Sequence, residues 1–221
     1  MMKSVLFTWM LLMGVAQAAE PDLSRFEKQI EGARQVIVVT PDAGTQAKTS
    51  AYEYRAEEKR WVRVLGPFDS VMGRKGFALQ GEKREGDGKT PSGIYALGDA
   101  FGYAEKMDTG LHYRQSGSED VWVDDVDSPN YNQWVHGNPQ AKSFEKMHRD
   151  DRLYSAGIIV EYNTAPIVKG AGSAIFLHVW RAGNKATAGC VAMEEKNILA
   201  LLHWLDASRK PRVILNPEAL K

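Results

Sequence analysis

Apolar runs along the chain predict a domain built mainly from β-strands. Gln35–Thr40 is a continuous β-branched run that stops before Pro41, which is typical of a buried strand. Gly157–Tyr162 and Ala174–Trp180 are also rich in Ile, Val and Phe, and Arg212–Leu215 predicts a last strand. Residues of these types fit the pleated surface of a sheet.

The segment from residue 50 to residue 65 predicts a β-hairpin. Ser50–Ala56 and Arg60–Leu65 alternate between bulky and polar side chains, and the polar turn Glu57–Lys59 separates them. A period of two places successive side chains on opposite faces of a strand.

Helical spacing of apolar residues occurs in two segments, Asp22–Ala33 and Met193–Ala207. Apolar side chains at intervals of three and four define the buried face of an amphipathic helix. We therefore expect an N-terminal helical segment over residues 19–34 and a mainly β domain over residues 35–217 with the second helix near its end. Both helices are expected at the periphery.

Two Gly-rich polar stretches, residues 81–93 and 104–150, interrupt the apolar pattern. The second is far longer than the usual connection in a compact domain, and loops of that length are typically functional. We expect it to form a lid or a wall of a binding cleft.

The first residues predict an export signal. Lys3 precedes the apolar run Val5–Ala16, and Ala16-Gln17-Ala18 has the small-residue pattern of a cleavage site. The apolar run is shorter than the roughly 20 residues of a membrane helix. We expect residues 1–18 to be removed, leaving an exported chain that is not held in a membrane.

Composition narrows the function classes. The chain has 28 basic and 28 acidic residues, so its net charge gives no broad field for nucleic acid or an anionic membrane. Cys190 is the only cysteine and cannot form an internal disulfide. In an oxidising compartment such a thiol is either a buried structural residue or a reactive nucleophile.

His178 and Cys190 form the strongest local signal for chemistry. Eleven residues separate them, enough for the chain to turn back and bring the side chains into hydrogen-bond reach. An adjacent imidazole is a common means of ionising a thiol, and the helix predicted from Met193 would add its positive dipole end. Gly189 leaves the backbone open, so that N–H groups including that of Cys190 can face a developing oxyanion.

These residues resemble the signature of the L,D-transpeptidase catalytic domain family (YkuD-type) of bacterial cell-wall enzymes. In that family, a His at the end of a strand is followed by Ser/Thr-x-Gly-Cys-Val/Ile, which here is His178 followed by Thr187-Ala188-Gly189-Cys190-Val191. An upstream turn, Gly-Asp-x-Lys-Thr-Pro-x-Gly-x-Tyr, corresponds to residues 86–95. The resemblance extends from about Val36 to Leu215.

The resemblance implies a closed, barrel-like or sandwich β fold and a thiol acyl transfer on peptidoglycan stem peptides. Cys190 would attack the carbonyl of the third stem residue, usually meso-diaminopimelate. D-Ala would leave, and an amine or water would resolve the thioester. His178 would be the base, oriented by the backbone carbonyl of Val179. No metal or organic cofactor is implied, and the expected location is a Gram-negative periplasm.

Two features depart from the family pattern. Many members carry Arg or Asn two residues after the Cys, where this chain has Ala192, and the loop before the Cys is shorter than in many members. Both lie where the substrate would bind. We expect substrate contacts from Thr187, Trp180 and Arg181, with Arg181 as a candidate ligand for a carboxylate.

Several alternatives stay open. Hydrolysis of the same thioester would make the protein an L,D-carboxypeptidase or an amidase that releases wall-attached proteins. A wall-binding module that has lost activity would keep an inert thiol. Papain-like wall endopeptidases place Cys before His, the reverse of the order here. The other histidines and the acidic run Asp124–Asp127 lack the spacing of a zinc or calcium site.

Overall fold

One sheet closes on itself in the computed structural model, which describes residues 21–181 and 185–220. The strands, in chain order, are β1 (Gln35–Pro41), β2 (Gln46–Arg55), β3 (Arg60–Val71), β4 (Phe77–Ala78), β5 (Thr90–Pro91), β6 (Gly93–Gly102), β7 (Tyr113–Gln115), β8 (Asp120–Val123), β9 (Trp134–His136), β10 (Phe144–Lys146), β11 (Ala156–Val160), β12 (Phe176–Val179), β13 (Val191–Met193) and β14 (Arg212–Leu215). The order β11-β12-β13-β3-β2-β1-β14-β6 is closed by pairing of β6 with β11, and β7 adds to the outside of β6. The predicted mainly β, closed fold is confirmed.

The continuous apolar run of β1 is explained by burial of both its faces. The eight strands of the closed order are called the ring here. Ile37 and Val39 belong to the main core, which lies between ring strands and one α-helix, α1 (Glu195–Trp204). Val36 and Val38 pack on the opposite side against the N-terminal segment, in a second buried cluster. A strand buried on both faces loses the alternation that a half-exposed strand shows.

The prediction of an α-helix at the N-terminus is wrong, but the apolar side chains predicted to be buried there are buried. Only Leu23–Phe26 is helical, as a 3-10 helix whose N-terminus is capped by the Asp22 carboxylate, and turns follow as far as Gly32. The apolar side chains on the predicted face, Leu23, Phe26 and Ile30, are all buried. One turn is too short to stabilise an α-helix by itself, because nucleation is costly, so packing decides the conformation.

The second predicted helix is shorter than the apolar spacing suggested. Met193 belongs to β13, and α1 ends at Trp204. A 3-10 helix, Ala207–Arg209, follows it, and another, Pro217–Ala219, follows β14.

The long polar stretch forms a small sheet beside the ring, with strand order β10-β8-β9. Asn132, buried and with φ of +58°, joins this sheet to the ring. Its Oδ1 accepts from Trp122 Nε1 at 2.9 Å and from the Ala174 N–H at 3.1 Å. Its Nδ2 donates to the carbonyl oxygens of Tyr162 and Asn163 at 3.1 and 2.7 Å.

The predicted export signal, residues 1–18, lies outside the described residues. Among the residues that are described, none of the helices has the length and apolar character needed to span a membrane.

Replacement of Asn132 by Ala is expected to lower the free energy of unfolding by about 3 kcal/mol, because two buried N–H donors lose their acceptor. Asn130→Ala is the matched control. Within the part of the chain that the structure describes, its side-chain amide makes one bond, to the Pro139 carbonyl, and is partly exposed, so we expect a loss below about 1 kcal/mol. Urea unfolding followed by Trp fluorescence measures both, and equal losses would contradict the assigned role of Asn132.

Candidate active site

His178 and Cys190 line one cavity of about 320 Å³, within the size range of small-molecule sites. β12 and β13 are neighbouring parallel strands with His178 opposite Ala192 and Leu177 opposite Val191. Cys190, one residue before β13, therefore lies level with Phe176, on the same face as His178. Strand spacing and rise then separate the α-carbons of His178 and Cys190 by about 8 Å.

The Cys190 thiol rests against the backbone of the strand beside it. The residue is 6% exposed. Its Sγ donates to the Ala174 carbonyl at 3.2 Å and accepts from the Phe176 N–H at 3.4 Å. Burial, and to a lesser degree the Glu145 carboxylate, raises the pKa of the thiol well above its usual range. The resting sulfur is therefore protonated.

The His178 imidazole is buried, and one of its nitrogens is anchored. Nδ1 lies 2.7 Å from the Val179 carbonyl oxygen, so that nitrogen carries the proton and Nε2 is left with its lone pair. Burial lowers the pKa of His178 to about 4, although the backbone carbonyls of Val179 and Leu153 act in the opposite direction. The imidazole is neutral at pH 7. No hydrogen bond joins it to Cys190 among the described residues.

The turn before Cys190 is held by the Thr187 hydroxyl. This group donates to the Cys190 carbonyl at 2.6 Å and accepts from the Gly189 N–H at 3.1 Å. The Gly189 N–H is thus already engaged. The N–H of Cys190 has no acceptor in the described part of the chain. A side chain at Gly189 would crowd the Lys89 carbonyl at 3.1 Å.

The upstream motif, residues 86–95, packs against the turn that carries Cys190. Asp87 Oδ1 accepts from the buried Lys83 ammonium at 2.7 Å and from the Lys89 N–H at 2.8 Å. Thr90 Oγ1 accepts from the Gly73 N–H at 2.9 Å and lies 3.5 Å from the Cys190 carbonyl oxygen. The motif therefore fixes the backbone that carries Cys190.

Four candidate functional residues were not predicted from the sequence. Glu145, Arg149 and Tyr154 line the cavity, and Asp151 holds Arg149 through bonds of 2.9 and 2.7 Å. Glu145 accepts a hydrogen bond from the Tyr154 hydroxyl, and desolvation raises the pKa of this carboxyl. The only sequence signal was the length of the 104–150 stretch, which supplies Glu145 and Arg149.

Two of the three residues predicted to contact substrate line the cavity. Thr187 and Arg181 line the cavity, together with Ala192, whereas Trp180 lines neither this cavity nor the second one at Cys190. The expectation of a helix dipole at the sulfur does not fit the structure, because β13 intervenes and α1 begins only at Glu195. The dipole effect falls off within the first turn of a helix.

A second cavity, of about 170 Å³, also reaches Cys190. Its wall includes Gly189, Asp124, Glu85 and Lys83. Cys190 therefore lies in the wall of two pockets that differ in size and in lining charge. Within the described residues, His, Cys, Asp and Glu side chains form no group of three that could hold a metal ion.

The pKa of His178 predicts a pH-dependent stability. Between pH 6.5 and 4 the unfolded chain binds a proton at this residue that the folded chain does not, so folding stability falls as pH falls. We expect this site to contribute a loss of about 2 kcal/mol between pH 7 and 4.5.

His178→Gln removes that contribution and leaves those of the carboxylates, so the variant should lose less stability than the wild type over the same interval. Urea unfolding at both pH values measures this, with His203→Gln as a surface control (the ring contacts Asp108). Identical pH dependence in His178→Gln and the wild type would show that the imidazole titrates normally.

The chain was compared with models of known protein families, and one of them matches. The model of the YkuD L,D-transpeptidase catalytic domain matches residues 34–214. This range includes the closed ring except its last residue, Leu215, together with the upstream motif and both His178 and Cys190. Comparisons with curated proteins and with solved structures gave no significant match. The chain belongs to the L,D-transpeptidase catalytic domain family.

Proposed function

We propose that this protein is a periplasmic L,D-transpeptidase that forms a thioester between Cys190 and the third residue of a peptidoglycan stem peptide. The observation that carries the proposal is that His178 on β12 and Cys190, directly before the adjacent parallel strand β13, line one cavity. The Nδ1 contact of His178 to the Val179 carbonyl leaves Nε2 to take the thiol proton.

The reaction begins from a neutral pair. With the pKa of His178 lowered to about 4 and that of Cys190 raised, an imidazolium–thiolate pair is not favoured at rest. We propose that the Cys190 side chain rotates away from the Ala174 carbonyl toward His178 when substrate fills the cavity. The proton then moves from Sγ to Nε2 as the S–C bond forms.

The remaining steps use the same two side chains. The electron pair of the substrate carbonyl moves to its oxygen, and the N–H of Cys190 is the donor available to that oxyanion. Return of the electron pair breaks the C–N bond, and His178 gives its proton to the leaving D-Ala amine. An acceptor amine then attacks the thioester carbonyl and gives a proton to Nε2 of His178. The C–S bond breaks, and that proton returns to the Cys190 sulfur.

Two pockets at one sulfur support transfer to an amine. An acyl donor and an acyl acceptor need separate binding space at the nucleophile, and the two cavities that reach Cys190 offer it. Release of the thioester by water instead would give an L,D-carboxypeptidase or an amidase that frees wall-attached proteins. An inactive wall-binding module would form no thioester at all.

Cys190→Ser is expected to abolish product formation, with a fall in rate of at least 10³-fold, because the hydroxyl is a far weaker nucleophile next to a neutral imidazole. The measurement is mass spectrometry of disaccharide tetrapeptides incubated with the wild-type protein and the variant. Cross-linked product indicates transpeptidation, and a trimmed tripeptide indicates hydrolysis. Unchanged muropeptides with the wild type would refute the proposal.

The pH profile of kcat/KM should have its acid limb near pH 4. His178 is the base and must be neutral, and its pKa of about 4 keeps it neutral through pH 5. Activity is therefore expected to fall less than threefold from pH 7 to pH 5 and steeply below that, after correction for unfolded protein. An acid limb between pH 6 and 7 would show that the working base has an ordinary pKa.

A further inference from the structure

The wall of the larger cavity carries an excess of positive charge. Arg149, Arg181 and Lys185 line it, and Glu145 is the one carboxyl group among the described lining residues. Asp151 does not line this cavity. Its carboxylate binds both guanidinium groups, Arg149 at 2.9 and 2.7 Å and Arg181 at 3.1 Å. Two cations thus share one anion, and one positive charge is left for a ligand.

We propose that Arg149 binds a free carboxylate of the substrate beside Cys190, with Asp151 as the residue that positions its guanidinium. This inference rests on the proposed function, since it names the group by which a stem peptide is recognised. A stem peptide offers two such groups, the carboxylate of the terminal D-Ala and the second carboxylate of diaminopimelate.

Arg149 is held in one orientation before substrate arrives. Nε and Nη2 are bound by Asp151, and the guanidinium carbon lies 5.3 Å from the centroid of the Tyr154 ring. Its backbone N–H and carbonyl both bond the Tyr103 hydroxyl, at 2.9 and 3.1 Å. Nη1 makes no hydrogen bond within the described residues, so its two N–H groups are available to a ligand.

Arg149 is better suited to this role than Arg181. Its side chain is 30% exposed, whereas that of Arg181 is 52% exposed and makes a single bond to Asp151. A guanidinium that is already ordered loses less conformational entropy on binding, and a half-buried charge is screened less by salt. Arg181 is expected to add long-range attraction only.

The test is peptide binding by calorimetry in the Cys190→Ser background, where no turnover occurs. Arg149→Gln is expected to weaken binding of a tetrapeptide by about 50-fold, and Arg149→Lys by less, because it keeps the charge but loses the fork geometry. Arg152→Gln is the matched control. Its side chain is exposed and lies outside the cavity, and among the described residues its one charged neighbour is Glu195, at 3.9 Å, so affinity should change less than twofold.

Amidated peptides identify the carboxylate. The same measurement is made with a peptide ending in D-alaninamide and with one amidated at diaminopimelate. Amidation of the recognised carboxylate should weaken binding to the protein that retains Arg149 by about 50-fold. It should have little effect on the Arg149→Gln variant, since the guanidinium that binds the carboxylate is already missing.

Two results would overturn the inference. The first is equal affinity of the protein that retains Arg149 and of the Arg149→Gln variant for the unamidated peptide. The second is an equally large loss of affinity on amidation in the Arg149→Gln variant. Both are distinct from failure of the proposed function, which is an absence of turnover by the wild-type protein on a peptide that binds.

Discussion

The parallel pairing of β12 with β13 is the constraint on which the site depends. It sets His178 opposite Ala192. Cys190, two residues before Ala192, therefore lies on the same face of the sheet as His178. The ring holds this register from both sides, because β11 pairs with β12 and β3 pairs with β13. A slip of one residue would turn the sulfur away from the cavity.

Burial determines the chemical state of the pair that this register creates. The sulfur and the imidazole lie among aromatic side chains, including Phe176 and Tyr154, where charged forms are penalised. Both groups are therefore neutral at rest, and the backbone at Ala174 and Phe176 holds the thiol. Asn132 binds the Ala174 N–H, so the small sheet of the long polar stretch supports the resting sulfur as well as part of the cavity wall.

The sequence predicted the parts of the structure that have a strong local pattern. Apolar runs predicted β1, β11, β12 and β14, and alternation predicted parts of β2 and β3, whereas β6 was not predicted and Met193 of β13 was assigned to a helix. The motif around His178 and Cys190 predicted that the two residues lie close together, and both line one cavity. The first helix was misjudged because Leu23, Phe26 and Ile30 repeat at helical spacing, whereas a single 3-10 turn already buries them. Glu145 and Arg149 were not predicted, since strands of three residues such as β10 leave no periodic signal and both side chains reach the cavity through tertiary packing.

The identity of the acylated residue tests the proposed roles of Cys190 and His178 most directly. A tetrapeptide labelled in its third residue is mixed with the wild-type protein, the reaction is quenched in acid, and the protein is digested and mapped by mass spectrometry. We expect a tripeptidyl thioester on Cys190 that forms in the wild type and forms at least 100-fold more slowly in His178→Gln. A labelled acyl group on any other residue, or equal labelling of Cys190 in both proteins, would contradict these roles.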